Sequence, residues 1–370
     1  MLGRQRRLAI LAEGSFAPLE GKTAVGVLRY RSTEVAAIID STRAGRTAEA
    51  CVGLGGSIPV VANVAAAAAL GADSLLIGIA PQGGELPPAW RATLRAAIER
   101  GWDVLSGLHR FLADDVELAA LAAASGATLY DVRRPPAHRP VAAGRAAAVE
   151  ALVVLTVGSD CNVGKMTAAL EVRRELDRRG VRAAFVATGQ TGIFVADRGV
   201  AVDAVPADFV AGMVEELVIE AARESDVVIV EGQGALRHPG YSGVTLSLLH
   251  GAAPAALLLC HHSGRETYRT PRAPGERARE VAGSGEPIIP PLVDLVREYE
   301  LASAWVRPAR VVAIALNTLG LDEAGARQAE AGTALTTGLA TIDPVRHGAA
   351  PLADALLALR PARRGHATAS

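Results

Sequence analysis

The chain has 370 residues, enough for two domains of ordinary size. Basic and acidic residues nearly balance, 38 against 39, which excludes a global field that would attract nucleic acid or an anionic membrane. Half of the residues are hydrophobic but only 4% are aromatic, which is typical of alanine-rich helices packed on aliphatic strands. No uncharged apolar run reaches about 18 residues, so no membrane span is expected.

The cysteines and the first residues bear on the cellular compartment. Cys51, Cys161 and Cys260 lie far apart and form no CxxC pair, so neither a zinc site nor a disulfide framework is indicated. The apolar run after Arg7 stops at Glu13, which is too short for the hydrophobic region of a secretory signal. We therefore expect a cytoplasmic protein.

The first half of the chain alternates strand-like and helix-like segments, a pattern of βαβ units with a parallel sheet. An acid, Asp40, follows Val35–Ile39, the second apparent strand of this half, where it could hold ribose hydroxyls. The preceding strand-to-helix turn lacks the GxGxxG glycines, so NAD binding is disfavoured. The predicted strands are Val35–Ile39, Ile58–Val61, Ser74–Ile79, Val104–Leu108 and Thr128–Val132, and the predicted helices are Val64–Leu70 and Trp90–Arg100.

A stretch rich in proline and arginine, 133–148, carries no apolar period and marks a domain boundary. We assign residues 1–148 to a Rossmann-like domain with its linker, and residues 149–370 to a second domain with a doubly wound parallel sheet. The fold class is therefore α/β, with two parallel sheets. The second domain has one predicted helix, Lys165–Arg179, and the predicted strands Ala151–Val157, Arg182–Ala187, Val227–Val230, Ala255–Leu259 and Val311–Leu316.

The segment between the first strand and the first helix of the second domain, GSDCNVGKMT, has the context of a phosphate-binding loop. Backbone N–H groups and the helix N-terminus would hold an anion, Lys165 would contact terminal phosphates, and Thr167 would place a hydroxyl on a metal ion. The glycine spacing is one residue longer than in the common motif, and Met166 separates Lys165 from Thr167, so an ordinary glycine-containing turn is the alternative. The predicted cofactor-binding residues of the loop are Gly158, Ser159, Asp160, Cys161, Asn162, Val163, Gly164, Lys165, Met166 and Thr167.

The variant spacing resembles the loop of dethiobiotin synthetase and its relatives, where Gly-Thr-Asp…Val-Gly-Lys-Thr is usual. An acid, Glu231, ends the strand Val227–Val230, and the same relatives carry Val-Glu-Gly-Ala-Gly there. Such an acid would hold Mg²⁺ directly or through water, so Thr167 and Glu231 are the metal ligands if the chemistry depends on ATP. A strand-terminal glutamate that caps a helix is the alternative.

Other polar residues follow predicted strands, at the edge where open α/β sheets bind ligands. The loop Thr188–Gly192 is one such segment, with a plain connecting loop as an equal alternative. His238 would act as a general acid or base and Tyr241 as a hydrogen-bond donor. The neighbouring His261 and His262 point in opposite directions along a strand, so one of them should face the site.

The remaining candidates would bind the ligands. Arg237 or Arg265 would pair with a substrate carboxylate in bidentate geometry. Asn317 would bind the purine edge, with a simple turn residue as the alternative. The predicted catalytic residues are Glu231, His238 and Tyr241, and the predicted substrate-binding residues are Gln190, Thr191, Gln233, Arg237, Ser242, His261 and Arg265.

Longer strings make the whole chain resemble the DUF1611 family. They are Gly158–Thr167, Ala187–Gly192 (ATGQTG), Asp203–Gly212 (DAVPADFVAG), Glu231–Gly234, His238–Gly251 (HPGYSGVTLSLLHG), Leu316–Thr318, Leu28–Tyr30, Ile77–Pro81 and Gly107–His109. The resemblance implies an N-terminal Rossmann-like domain and a C-terminal P-loop domain. It also implies the N-acetylation of D-glutamate by acetyl-CoA, whose diphosphate a phosphate loop could hold.

Three functions remain open at this stage. The leading one is an acyl-CoA-dependent N-acyltransferase for a small acidic amino acid, with His238 or Glu231 as base and N–H groups near Gly232–Gly234 as the oxyanion site. The second is an ATP- and Mg²⁺-dependent kinase or ligase that activates a carboxylate, and the third is a nucleotide-binding regulatory ATPase. The expected partners are a small amino acid or carboxylate substrate and further copies of the chain in a homo-oligomer.

Overall fold

A computed structural model of the chain describes residues 5–17, 21–79, 86–268 and 287–359, so the last two residues of the string Ile77–Pro81 lie outside it. The chain forms two compact units. Met1–Ala137 and Gly189–Val205 make up the first, and His138–Thr188 and Pro206–Ser370 make up the second. The boundary that we place after residue 148 falls inside the second unit. The segment Gly189–Val205 joins the first unit, which no sequence pattern indicated.

The described residues form twelve strands and twelve helices. The strands are β1 (Leu8–Leu11), β2 (Val35–Ile39), β3 (Val60–Val61), β4 (Ser74–Ile77), β5 (Asp103–Ser106), β6 (Leu129–Asp131), β7 (Leu152–Gly158), β8 (Ala183–Val186), β9 (Val227–Val230), β10 (Ala256–His262), β11 (Arg310–Asn317) and β12 (Ala340–Ile342). The helices are α1 (Lys22–Arg31), α2 (Ala48–Val52), α3 (Val64–Ala69), α4 (Arg91–Ile98), α5 (Val116–Ser125), α6 (Lys165–Arg178), α7 (Gln190–Ala196), α8 (Ala207–Ala222), α9 (Ser242–Ala252), α10 (Leu292–Ser303), α11 (Glu323–Thr337) and α12 (Ala350–Leu357). None of these helices is long and apolar enough to cross a membrane.

The first unit contains a six-stranded parallel sheet in the order β3-β2-β1-β4-β5-β6, the order of a Rossmann fold. Every residue of its central strand β1 is buried. Parallel strands with both faces covered by helices need such continuous apolar runs. The predicted Rossmann-like domain is confirmed.

The acid at the end of β2, Asp40, is fully buried and organises the loops around it. Its carboxylate accepts hydrogen bonds from the backbone N–H groups of Gly14 (3.2 Å), Phe16 (3.3 Å) and Thr42 (3.0 Å), and from the Thr42 hydroxyl (2.6 Å). The protein's own donors thus occupy both carboxylate oxygens. Asp40 therefore fixes the loops after β1 and β2, and its carboxylate does not face outward as a ribose ligand would.

Buried side-chain bonds attach the segment Gly189–Val205 to the first unit. The guanidinium of Arg133 donates to the Gly107 carbonyl at 2.6 Å, to Oε1 of Gln190 at 2.8 Å and to the carboxylate of Asp203. Helix α7 of this segment packs against α1. The prediction of a loop over Thr188–Gly192 is therefore wrong from Gln190 onward, because α7 begins at that residue.

The second unit contains a six-stranded parallel sheet in the order β12-β11-β10-β7-β9-β8. From the central strand β7 the chain first builds β8 and β9 on one side, then crosses to β10 on the other. The strand order therefore reverses beside β7, and open α/β sheets bind ligands at the carboxyl ends of the strands at such a point. The predicted doubly wound parallel sheet is confirmed, and it places the loop after β7 at this reversal.

The linker that precedes β7 is held to α8 by one fully buried carboxylate, Glu215. It accepts hydrogen bonds from the backbone N–H of Ala143 (3.1 Å) and of Arg145 (2.6 Å), and from Nε of Arg145 (3.0 Å). A Cβ on Gly212 of α8 would lie 1.9 Å from the Pro140 carbonyl oxygen, so glycine is required where the linker crosses the helix. The part of the linker from His138 onward is thus an ordered part of the second unit.

Candidate active site at the phosphate-binding loop

The loop between β7 and α6 has the backbone geometry of an anion site. Asn162 and Gly164 adopt left-handed conformations, with φ of 58° and 107°. Such residues turn the chain sharply, so that successive N–H groups can converge on one anion, and the N-terminus of α6 adds its partial positive charge. The buried side chain of Val163 anchors the loop between these two residues. The loop predicted from the sequence is thus present with a helix starting at Lys165.

The Lys165 side chain is buried beneath the loop. Its Nζ donates a hydrogen bond to the backbone carbonyl of Asp160 at 2.8 Å. Burial lowers the pKa of Lys165, and nearby acidic groups, Asp160 and Glu231 among them, oppose that shift. A Cβ on Gly158 would lie 2.9 Å from Nζ and 3.0 Å from the Asp160 carbonyl oxygen, so glycine keeps the space around the amine open. The loop therefore holds a cation at the helix N-terminus, where a phosphate would offset the cost of its burial.

A fully buried carboxylate, Asp160, organises the first half of the loop. Its Oδ1 accepts from the Cys161 N–H at 2.6 Å, and its Oδ2 forms an ion pair with Nη1 of Arg265 at 3.1 Å. The same Nη1 donates to the Cys161 carbonyl at 2.6 Å. Arg265, which we predicted to bind a substrate carboxylate, therefore contacts the loop itself.

His238 is fully buried beside Asp160. Its Nδ1 accepts a hydrogen bond from the Gly240 N–H at 3.1 Å, so the neutral ring carries its proton on Nε2. That Nε2 faces Oδ1 of Asp160 at 3.9 Å. The ring of Tyr241 lies against the imidazole at 4.6 Å between centroids. This arrangement suits His238 to hold a proton near Asp160 better than to remove one from a substrate.

Asp160, Cys161 and His238 bring an oxygen, a sulfur and a nitrogen within 4.8 Å of one another, a set that could suit zinc. A metal-binding histidine donates its other ring N–H to an acceptor, whereas Nδ1 of His238 accepts from Gly240. The positively charged side chain of Arg265 also forms an ion pair with the Asp160 carboxylate. The geometry of this group therefore does not fit a metal ion.

Glu231 lies buried at the end of β9, beside the loop lysine. Its Oε2 accepts from the Thr188 N–H at 2.9 Å, and its backbone carbonyl accepts from the Thr188 hydroxyl at 2.7 Å. The segment that follows β8 thus fixes the carboxylate at the edge of the sheet where the loop lies. Thr167, the other predicted metal ligand, lies in the first turn of α6 and is partly exposed.

The residue after Glu231 is tightly enclosed. The N–H of Gly232 donates to the Thr156 hydroxyl at 2.9 Å, so this N–H, expected at an oxyanion site, has a partner within the protein. A Cβ on Gly232 would lie 1.7 Å from the Thr156 carbonyl oxygen and 3.0 Å from Cδ of Lys165. Glycine is therefore needed for β9 and β7 to approach each other beneath the loop.

We expect Gly232→Ala to lower the free energy of unfolding by about 3 kcal/mol or more, because neither backbone can move away without breaking the sheet. Gly332→Ala is the matched control: Gly332 is exposed within α11, and a Cβ there meets no atom within 4 Å. This control should raise stability by up to about 1 kcal/mol. Urea unfolding of both variants tests the contrast, and equal stabilities would contradict the close approach.

The two neighbouring histidines of β10 contact different partners. Nδ1 of His261 lies 2.8 Å from the hydroxyl of Ser159 in the loop, and Nδ1 of His262 lies 2.8 Å from the carbonyl oxygen of Ser263. Burial, with His262 and Arg265 next in effect, lowers the pKa of His261 to about 4. His261 is therefore a neutral ring that supports the loop. The histidines lie within β10, because this strand is longer than the predicted Ala255–Leu259.

The second unit contains three further candidates in loops or at the ends of strands and helices: Asn317, Gln233 and Ser242. The amide nitrogen of Asn317 would lie 3.9 Å from a Cβ on Gly164, so it borders the loop. Nε2 of Gln233 donates to the Thr188 hydroxyl at 3.1 Å. Ser242 is the first residue of α9, and its hydroxyl donates to the Leu236 carbonyl at 2.6 Å.

Three predicted substrate-binding residues are engaged elsewhere. Gln190 and Thr191 lie on α7 of the first unit, where Gln190 contacts Arg133 and the Thr191 hydroxyl lies 2.9 Å from that of Thr23. Arg237 is exposed, and its Nε and Nη2 both donate to the carboxylate of Glu298.

Sequence reasoning missed Tyr299, a fully buried residue of α10. Its hydroxyl donates to the Gly158 carbonyl at 2.7 Å and accepts from the Leu236 N–H at 3.0 Å. Tyr299 thereby ties the start of the phosphate loop to the segment after β9. No local pattern could reveal this role, because 141 positions separate Tyr299 from Gly158.

Comparison with known proteins places the chain in a family. The family model described as "Domain of unknown function (DUF1611_C) P-loop domain" matches residues 140–353, and that described as "Domain of unknown function (DUF1611_N) Rossmann-like domain" matches residues 41–135. A D-glutamate N-acetyltransferase of Tritonibacter scottomollicae is 41% identical over 297 residues, which cover 79% of this chain and 84% of that protein. Another D-glutamate N-acetyltransferase, of Pseudoalteromonas sp, is 34% identical over 287 residues, with 77% and 82% covered.

A crystal structure extends the similarity to the whole fold. A DUF1611 family protein from Anabaena variabilis ATCC 29413, solved at 2.30 Å resolution, matches with a TM-score of 0.87 and 38% identity. The match covers 95% of this chain and 99% of that one. The chain therefore belongs to the DUF1611 family and is a transferase, with a Rossmann-like N-terminal domain and a P-loop C-terminal domain.

Proposed function

We propose that the chain transfers the acetyl group of acetyl-CoA to the amino group of a small acidic amino acid, with D-glutamate as the first candidate. The structural observation that carries the proposal is the phosphate loop with the buried Lys165 at its helix N-terminus. The relatives named D-glutamate N-acetyltransferase indicate the group that is transferred and the acceptor. Coenzyme A would connect the phosphate loop with acetyl transfer, because this carrier of the acetyl group has a diphosphate that the loop could hold.

The loop fits the diphosphate of this cofactor by its donor chemistry. Lys165 would contribute a charge-assisted hydrogen bond, and the backbone N–H groups after Gly158 would contribute neutral ones. A Cβ on Gly158 would crowd the lysine amine, so glycine at this position favours the cradle. Acetyl-CoA, when bound, supplies the activated thioester.

The amino group of an amino acid is protonated at neutral pH and must lose a proton before it attacks a thioester. Glu231 fits this role, because it is fixed by Thr188 at the edge of the sheet where the loop lies. His238 fits it less well, since Nδ1 already accepts a hydrogen bond from Gly240 and Nε2 carries the proton. We therefore assign Glu231 as the general base and His238 as a group that positions Asp160.

A second candidate function is the ATP- and Mg²⁺-dependent activation of a carboxylate. The observation that favours it is a carboxylate, Glu231, at the end of the strand next to β7, with Thr167 in the first turn of α6. An acid and a hydroxyl in these positions are the usual ligands of Mg²⁺ in P-loop enzymes. In that chemistry Lys165 would contact the terminal phosphates.

Calorimetry with cofactor fragments separates the two candidates. We expect acetyl-CoA to bind equally well with EDTA and with Mg²⁺, and 3′-dephospho-acetyl-CoA to keep most of the affinity, since it retains the diphosphate. S-acetylpantetheine, which lacks the diphosphate, should bind at least about tenfold more weakly, which corresponds to about 1.4 kcal/mol. Binding of ATP that requires Mg²⁺, with no binding of acetyl-CoA, would replace the first candidate by the second.

A further inference from the structure

Tyr268 is a buried aromatic residue beside the loop that no role described so far includes. The residue is 3% exposed, and its ring packs edge-on against His238, with 5.8 Å between centroids and an angle of 89°. Its backbone N–H donates to the Pro287 carbonyl at 3.1 Å, which fixes the position of the residue in the second unit. Tyr268 therefore lies in the cluster that Asp160 and His238 form at the start of the phosphate loop.

The hydroxyl of Tyr268 is buried and contacts no hydrogen-bond partner among the residues that the structure describes. Tyr299, which is also buried, has two partners for its hydroxyl. Buried polar side-chain atoms are in the large majority paired, and an unpaired one calls for an explanation. A bound ligand that supplies the missing partner would explain the unpaired hydroxyl of Tyr268.

The charges around this hydroxyl define its hydrogen-bonding role. Burial raises the pKa of Tyr268 to about 12, and the carboxylates of Asp160 and Glu298 add to this effect while Arg237 opposes it. The hydroxyl therefore stays protonated across the range in which an enzyme works. A protonated phenol among carboxylates that already have partners can donate its hydrogen to an incoming oxygen atom.

We propose that the Tyr268 hydroxyl is a ligand-binding group of the phosphate-loop site, and that it donates a hydrogen bond to an oxygen atom of a bound substrate. The oxygen belongs either to acetyl-CoA or to the carboxylate of the amino acid that is acetylated. This inference rests on the proposed function, and it adds to that function a ligand-binding residue beside His238 at the start of the phosphate loop.

The test is Tyr268→Phe, which removes only the hydroxyl. A hydroxyl that is unpaired in the free protein should leave the unfolding temperature unchanged or higher when it is removed. Ligand binding should weaken by about tenfold, since one hydrogen bond to a ligand is lost. An increase in Kd for acetyl-CoA assigns the bond to the cofactor, and an increase in KM for D-glutamate at saturating acetyl-CoA assigns it to the amino acid.

Tyr299→Phe is the matched control, because the same atom is removed from a hydroxyl with two partners in the protein. It should lower the unfolding temperature by about 2–5 °C, since it leaves the Leu236 N–H without its acceptor. Tyr268→Phe would overturn the inference if it lowers the unfolding temperature as Tyr299→Phe does and leaves both binding constants unchanged. Unchanged stability together with unchanged binding would overturn it equally.

A failure of the proposed function is distinguishable from a failure of this inference. The former appears in the wild-type protein, as an absence of acetyl-CoA binding and turnover. The comparison of Tyr268→Phe with Tyr299→Phe would then be made with ATP and Mg²⁺ as the probe. About tenfold weaker ATP binding by Tyr268→Phe alone would support the ligand-binding role, and equal binding by the wild type and the variant would overturn it.

Discussion

Lys165→Ala is expected to weaken the binding of acetyl-CoA by about 10- to 1,000-fold, because a charge-assisted bond to phosphate contributes about 1.5–3 kcal/mol or more. The amine is buried at the N-terminus of α6, where its bond within the protein is to the neutral carbonyl of Asp160. A phosphate would therefore add a charge-assisted hydrogen bond in place of, or beside, a bond to a neutral oxygen. Titration calorimetry of both proteins with acetyl-CoA measures the effect.

Lys22→Ala is the control for this experiment, because Lys22 is the exposed lysine at the start of α1 in the first unit. It should leave the affinity for acetyl-CoA unchanged. Lys165→Ala should also unfold at a temperature close to that of the wild type, since it removes a charge that is costly to bury. If affinity for both acetyl-CoA and ATP is the same in Lys165→Ala and the wild type, the loop has no part in cofactor binding.

Glu231→Gln is expected to lower kcat for acetyl transfer by about 100- to 10,000-fold, the contribution typical of a positioned general base. Glutamine keeps an oxygen that can accept from the Thr188 N–H, so the fold should be preserved. The same transfer should be unaffected by EDTA, because acyl transfer to an amine needs no metal in its chemical step. Steady-state rates measured with and without EDTA for the wild type and the variant test both statements.

A dependence of the activity on Mg²⁺ would instead identify phosphoryl transfer. In phosphoryl transfer, Mg²⁺ bridges the phosphates and offsets their developing charge, so its removal raises the barrier by several kcal/mol. Activity that EDTA abolishes and Mg²⁺ restores, with release of ADP from ATP, would assign Glu231 to the metal and replace acyl transfer by carboxylate activation.

Most strands of the two sheets and the phosphate loop were accessible from the sequence because their signals are local, although the short edge strand β12 was not predicted. β2 and β9 have the predicted bounds, since both are short, continuous apolar runs that end at an acid. The loop was predicted from glycines and a lysine between a strand and a helix, and the structure adds the left-handed Asn162 that closes it.

The environments of the site residues depend on contacts between distant positions, which no local pattern contains. Arg265 was predicted to be free for a substrate, but its charge neutralises Asp160 more than 100 positions earlier. Gln190 and Thr191 follow a strand of the second unit, as substrate-binding residues often do, yet α7 belongs to the first unit. Tyr268 and Tyr299 carry no motif, and only their burial against the loop and against His238 shows that they belong to the site.

Product analysis tests the central claim most directly. The purified chain would be incubated with acetyl-CoA and D-glutamate in EDTA, with L-glutamate in a parallel reaction, and the products would be identified by mass spectrometry. The account predicts N-acetyl-D-glutamate and free coenzyme A in equal amounts, with both lost in Lys165→Ala at low acetyl-CoA concentration and in Glu231→Gln. No acetylated amino acid from acetyl-CoA, together with ADP formation from ATP and Mg²⁺, would contradict it.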